Sequence, residues 1–517
     1  MEQQFIYGND TVVQTREGKL RGFFFRGVYQ FHGVNYATAE RFCMPKPVEP
    51  WDGIKDAVSY GPVCPIESNP IPSGEVFIPH RFWPQDEHCQ SLNIWTTKLS
   101  PKAKKPVFVW LHGGGFSDGS SIEQVAYEGD SLAKNGDVVV VTINHRLNLL
   151  GFLDMSSFGE KYHNSVNAGI ADIVAALEWI QANIEVFGGD PSNVTICGQS
   201  GGGGKVQTLM QTPAAEGLFH KAIIMSGVHS TSRDSDVDQR PVILRTMELL
   251  DIQPDHPEEL EKVPYARLVD AFRLAHIEFV KKEDKVIVWG PRPNDWYYGD
   301  PTVHGWCEFS KKIPLVIGTV FGEFFDHSIF ALSEEGVEAR MKQTFGEDAS
   351  KVEALFASAY PDKPKASALA VDFACRPAAL DFAKARAASC EGDVYVYQFA
   401  PTFEMCGPME AWHCSDITFL FQNIDRTAYA NVPGAGKGLE ESFSGNFLDF
   451  MRAGHPSKEW SAYTAAHPIT MVFGATNRSV ERLDDELLEV MAKHVQPLDF
   501  EGTVKYLLLS QEKEWFY

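Results

Sequence analysis

Hydrophobic and polar positions change rhythm along this chain. The first sixty residues set short apolar runs between turn signals, as at residues 11–15 and 19–22, and predict antiparallel hairpins. From residue 106 the rhythm becomes continuous. Residues 106–111 and 137–143 are unbroken apolar, β-branched runs, which predict strands covered on both faces of a parallel or mixed sheet. Over residues 170–187 the apolar positions Ile173, Ala176, Leu177, Ile180, Ile184 and Phe187 recur at helical spacing, with Asp172 near the N-terminus. Gly188-Gly189-Asp190-Pro191 ends that helix. Residues 194–197, 222–225 and 314–318 predict further buried strands. Strands alternating with helices over this distance imply one large doubly wound α/β sheet with helices on both faces. Residues roughly 230–310 and 330–390 are more polar and predict helical insertions.

No repeat, low-complexity tract or polar linker divides the chain, so we expect one domain over residues 1–517, although single cores tend to stop growing near roughly 250–300 residues. Apolar residues at 44% and charged residues at 22% exclude a disordered or fibrous chain. The net charge of −23 repels phosphate backbones and anionic lipid, so neither nucleic acid nor a membrane is an expected partner. Met1 to Ile6 lacks a basic segment followed by an apolar one, and no apolar run spans a bilayer, which predicts a cytoplasmic protein. The nine cysteines include no C-x-x-C pair, so no metal site is expected and the thiols are read as reduced.

Chemistry concentrates at Gly198-Gln199-Ser200-Gly201-Gly202, which follows a predicted buried strand and precedes an apolar helical run. A sharp strand-to-helix turn of this kind exposes the serine hydroxyl and needs glycines where a Cβ would collide, which makes Ser200 a candidate nucleophile. The helix directs its N-terminal N–H groups at that serine. A phosphate loop is excluded because Val206 stands where Ser or Thr is required after Gly204-Lys205. His112-Gly113-Gly114-Gly115-Phe116 follows the strand at 106–111 and supplies unobstructed backbone N–H groups. Gly114, Gly115 and Gly201 would together form a three-donor oxyanion hole.

The whole pattern resembles the type-B carboxylesterases, the family of cholinesterases and bacterial p-nitrobenzyl-esterase-like enzymes. The residues that carry the likeness are Phe31-His32-Gly33-Val34-Asn35-Tyr36-Ala37, Glu87-His88-Cys89-Gln90, Asn144-His145-Arg146, Phe187-Gly188-Gly189-Asp190-Pro191 and, near the end, Phe450, Met451, Gly454, Pro456 and Trp460. The resemblance implies an α/β-hydrolase fold with helical insertions over the site, a small-molecule ester as substrate, and no cofactor. Within Trp412-His413-Cys414-Ser415-Asp416 it implies His413 as general base, with His229 and His327 as alternatives. Downstream of Ile317-Gly318-Thr319-Val320 it implies Glu323 as the orienting acid, with Asp326 competing. Ser226 resembles the family serine that hydrogen-bonds this acid. Cys64 and Cys89 sit where secreted members carry a disulfide; reduced thiols are the expectation here. Gln199 replaces the family's glutamate beside the serine and removes an attraction for a cationic alcohol, which disfavours choline esters.

The expected reaction is ester hydrolysis through an acyl-enzyme. Phe116, Trp83, Trp289, Phe324, Phe325 and Trp412 are candidates for an aromatic site mouth favouring apolar or aryl esters, although each suits a core equally well. Two alternatives stand beside this reading: an amidase or carbamate hydrolase on the same residues, and a non-catalytic interaction protein of the same fold.

Overall fold

A computed structural model describes residues 4–66, 80–228, 237–405, 407–431, 436–496 and 498–510. His229 lies outside the described residues. Twelve strands form one sheet: β1 (Phe5–Ile6), β2 (Phe23–Phe25), β3 (Val28–Asn35), β4 (Ser91–Thr96), β5 (Lys105–Leu111), β6 (Val139–Ile143), β7 (Gly189–Gln199), β8 (Lys221–Met225), β9 (Leu315–Val320), β10 (Val394–Phe399), β11 (Ile469–Phe473) and β12 (Arg478–Glu481). Their spatial order is β1-β2-β3-β4-β6-β5-β7-β8-β9-β10-β11-β12. From β6 to β11 every pairing is parallel, and antiparallel strands finish both edges. The predicted hairpin at residues 12–14 and 19–21 also forms, in a small separate sheet.

The continuous apolar runs are explained by this layout. Along β5, Val107, Val109 and Leu111 point to one core while Phe108 and Trp110 point to the other. On the first face lie α1 (Ala168–Asn183) and α2 (Gly201–Leu209), with Ile173, Leu177 and Ile180 of α1 fully buried. Beside them packs α3 (Arg376–Ser389) through Ala379, Phe382 and Ala383. The opposite face is covered by α4 (Gly436–Ala453), whose Phe443, Phe447, Phe450 and Met451 are buried. Each such side chain contributes about 1.5–3 kcal/mol by leaving water.

Two expectations need correction. The polar region 330–390 does contain helices at Glu334–Phe345 and Ala349–Ala359, but α3 within it packs on β9 and β10 and belongs to the sheet's cover. Asp172 is not a solvent-facing dipole partner. It is fully buried and accepts from Arg146 Nε at 2.8 Å, Arg146 Nη2 at 2.7 Å and the Arg146 backbone N–H at 3.0 Å. That guanidinium is buried too, so each charge depends on the other.

Removing one partner of this pair leaves an uncompensated buried charge. Arg146→Met should therefore destabilise the fold by about 3–5 kcal/mol in urea unfolding, and the double variant Arg146→Met/Asp172→Leu by clearly less.

Candidate active site

The site lies beyond the carboxyl ends of the parallel strands, where loops from β5, β7, β9 and β10 converge. At the end of β7 the chain turns through Ser200, whose φ of 57° and ψ of −126° fall outside ordinary L-residue conformations. Ser200 N–H donates to the Met225 carbonyl at 2.8 Å, which ties this strained turn to the end of β8. Ser200 caps α2 and so stands at the positive end of that helix. A Cβ on Gly201 would collide with the Gly115 carbonyl, so the glycine after the serine is what lets the two backbones meet. Gly114 and Gly115 have φ of 84° and 63°, and the Gly114 carbonyl accepts from Ser117 and Asp118 N–H at 3.2 and 3.0 Å. The three expected donor residues, Gly114, Gly115 and Gly201, thus belong to one backbone junction beside Ser200.

The loop after β9 carries Glu323, which is buried, with φ of 37°. Its Oε2 lies 2.5 Å from His413 Nδ1, and its Oε1 accepts the Val320 N–H at 3.0 Å. In return His413 N–H donates to the Glu323 carbonyl at 3.0 Å. Gly322 N–H donates to the Ala411 carbonyl at 2.8 Å, so acid and base loops are bound at several points. Asp326, the competing acid, is exposed and caps a short helical turn by accepting from Ser328 N–H at 2.9 Å. His327 packs against Phe325 at a tilt, with ring centroids 4.4 Å apart.

Gln199, the residue before Ser200, is buried, and its Nε2 lies 3.2 Å from His413 Nε2 and 3.4 Å from Nδ1. Its Oε1 accepts from the Cys414 thiol at 3.2 Å. The amide therefore bridges the end of β7 to the loop that carries His413 and Cys414. Ser226 departs from expectation: its hydroxyl is buried without a hydrogen-bond partner, so it does not hold the acid. The Val320 N–H fills that role.

Of the six candidate aromatics, Phe324 packs against the imidazole of the Glu323–His413 pair. Its ring is 59% exposed and its centroid lies 4.4 Å from the His413 ring. Phe116 is 1% exposed and packs edge-on against Phe152, and Trp412 is buried against Phe403 and Tyr429; both are core residues, because apolar neighbours surround them. Trp289 packs on Phe272 of the helix Tyr265–Glu283. Phe325 packs edge-on to Phe330. Trp83 is partly exposed and rests edge-on to Tyr60.

Two buried carboxylates beside this pair escaped sequence reasoning. Asp372 accepts the backbone N–H groups of Ala374, Cys375 and Arg376, and burial followed by the Glu323 charge raises its pKa. Asp416, three residues after His413, accepts from the Tyr397 hydroxyl at 2.8 Å and is pushed up to about 7, chiefly by burial. Among the described residues, Glu323, His413 and Cys375 are the one set with metal-ligand donors all within 4.8 Å of one another. Two of those three already engage each other. Among the described residues no cysteine forms a disulfide, Cys64 and Cys89 included.

A strained serine capping a helix, a glycine loop against it and an imidazole–carboxylate pair at the carboxyl edge of a parallel sheet define an α/β-hydrolase fold. Comparison with known proteins carries this further. Residues 9–490 match the Carboxylesterase family profile, and the chain belongs to that family of carboxylic ester hydrolases. It is 32% identical over 469 residues to the para-nitrobenzyl esterase of Bacillus subtilis (strain 168), spanning 87% of this chain and 92% of that protein. It is 29% identical to the phenmedipham hydrolase of Pseudarthrobacter oxydans, over 91% and 96% of the two chains. Among solved structures, an esterase from anaerobic Clostridium hathewayi that hydrolyses aliphatic aromatic polyesters superposes with a TM-score of 0.91 and 44% identity. That match covers 95% of this chain and all of the other. Among the described residues, no helix is long and apolar enough to cross a membrane.

The shift at Asp416 yields a signed pH dependence. Its folded pKa of about 7 lies above the ordinary 3.8, so between those values the native state holds a proton that the unfolded chain has lost. The cost of burying Asp416 is therefore small at low pH and complete above pH 7. Asp416→Asn keeps an acceptor for Tyr397 and should raise the melting temperature more at pH 8.5 than at pH 5; equal changes at both would contradict this assignment.

Proposed function

We propose that this chain hydrolyses apolar and aryl carboxylic esters through an acyl-enzyme on Ser200. The observation that carries the reading is the Glu323–His413 contact at 2.5 Å, set beside a strained serine by Gln199, whose amide touches the imidazole. Ser200 attacks the ester carbonyl while His413 takes its proton. The negative oxygen of the tetrahedral intermediate is received by the N–H groups of Gly114, Gly115 and Gly201, each such donor being worth about 3–4 kcal/mol of transition-state stabilisation. His413 next protonates the departing alcohol, then activates the water that clears the acyl group. Glu323 keeps Nδ1 protonated, so that Nε2 is the basic nitrogen, and steadies the imidazolium when it forms.

The aryl preference is supported by Phe324, an exposed ring over the base, and by relatives named for a para-nitrobenzyl ester and for aliphatic aromatic polyesters. The neutral Gln199 disfavours a cationic alcohol. The same reading takes the chain as one catalytic domain, with the helices within residues 230–310 and Glu334–Ala359 as insertions around it, acting in the cytoplasm.

Ser200→Ala should lower p-nitrophenyl acetate hydrolysis more than a thousandfold with an unchanged circular dichroism spectrum. Full activity in that variant would remove Ser200 from its role. In a parallel comparison, Glu323→Gln should cost at least a hundredfold in kcat and Asp326→Asn less than twofold, and the reverse order would assign the acid to Asp326.

A further inference from the structure

Lys205 is fully buried, yet the ester chemistry does not use it. It lies on α2, five residues after Ser200, and its Nζ donates to the His112 carbonyl at 2.9 Å. His112 is where β5 ends and the glycine loop begins. At the other end, the Phe116 carbonyl is held by the Asn148 N–H at 2.8 Å. Between these anchors stand Gly113, Gly114 and Gly115, with no side chains of their own to fix them and the largest backbone freedom of any residues.

We propose that Lys205 is a positioning residue for the oxyanion hole: its Nζ, by donating to the His112 carbonyl, fixes the loop of Gly114 and Gly115 against the helix that presents Ser200 and Gly201. This rests on the acyl-enzyme reading above. One helix then governs both halves of the hole, through the Gly201 N–H in its first turn and through Lys205 one turn further on. A displacement of the loop by about 1 Å would leave substrate binding nearly intact while weakening donors that act only on the intermediate.

The Phe116 ring centroid lies 5.8 Å from Lys205 Nζ. The stacked rings of His112 and His145, 5.0 Å apart, are nearby imidazoles, and burial holds both far below the ordinary histidine pKa, so they are neutral. Their Nε2 atoms are buried without hydrogen-bond partners. The acidic groups whose charge acts on Lys205 are Glu123, Asp118 and Cys64. Burial pulls Lys205 down to about 7. An unfolded lysine keeps its proton to about 10.4, so the cost of burying this one is greatest below pH 7 and fades as pH rises towards that value.

The test compares Lys205→Met and Lys205→Gln with wild type, using p-nitrophenyl butyrate, an aryl trifluoromethyl ketone that forms an oxyanion on Ser200, and thermal melts at pH 6 and pH 9. Lys205→Met should lose about tenfold or more in kcat with KM within twofold, and should bind the ketone more weakly by a similar factor. Its melting temperature should equal or exceed that of wild type, with the larger gain at pH 6. Lys205→Gln keeps an N–H donor and should fall between the two in kcat. Wild-type kcat in either variant overturns the proposal, as does a loss carried by KM with a lowered melting temperature. Ser200→Ala is the control: activity surviving there defeats the acyl-enzyme reading itself, whereas a fast Lys205→Met enzyme defeats this inference only.

Discussion

A carboxylate taken out of water must be met by donors, and the site is built around how Glu323 meets that demand. One oxygen takes the His413 imidazole at 2.5 Å and the other takes the Val320 N–H at 3.0 Å. An unmatched charge at this depth would cost several kcal/mol, so the loop after β9 cannot relax away from the loop that follows β10. The backbone bonds from Gly322 to Ala411 and from His413 to Glu323 make the same connection without charge. Positive φ at Ser200, Ser226, Glu323 and Cys414 shows where the backbone is strained to accommodate it, at about 1–3 kcal/mol per residue. These four strained residues lie at the carboxyl end of the parallel strands, and the two cores on either face hold them in place.

Glu323 is not the only acid there. Asp372 and Asp416 lie close enough for its charge to raise both of their pKa values, so the imidazole sits among three buried carboxyl groups. In the proposed reaction that arrangement favours the imidazolium formed when Ser200 is deprotonated. Asp416 is fixed by Tyr397 of β10, and Asp372 by the N-terminal turn of α3. The elements that cover the sheet thereby also set the field around the base. Lys205 extends the same logic to the other side of the serine, where its buried Nζ meets the carbonyl that opens the glycine loop.

How much of this was legible in the sequence follows from the range of the forces involved. The strands at 106–111 and 222–225 and the turn at Ser200 were readable because burial on both faces and steric demands for glycine leave local marks. The family likeness brought in Glu323 and His413, ninety residues apart. Phe116 and Trp412 stayed undecided between mouth and core, because an aromatic ring looks the same in sequence in either place. Asp172 read as a helix-dipole residue, since its partner Arg146 lies twenty-six positions away and burial of both charges is a tertiary fact. Asp372 and Lys205 were invisible as site residues for the same reason. Ser226 stands where the likeness puts it, but its hydroxyl does not reach the acid.

The central claim is that Ser200 is the atom-transferring nucleophile, driven by the Glu323–His413 pair. The most direct measurement is covalent trapping: the protein is incubated with p-nitrophenyl diethyl phosphate, digested, and the labelled peptide sequenced by mass spectrometry. The account predicts a single diethylphosphoryl group on Ser200, formed at a rate that falls at least a hundredfold in Glu323→Gln. A label on another residue, or equal rates of labelling in the two proteins, would contradict it.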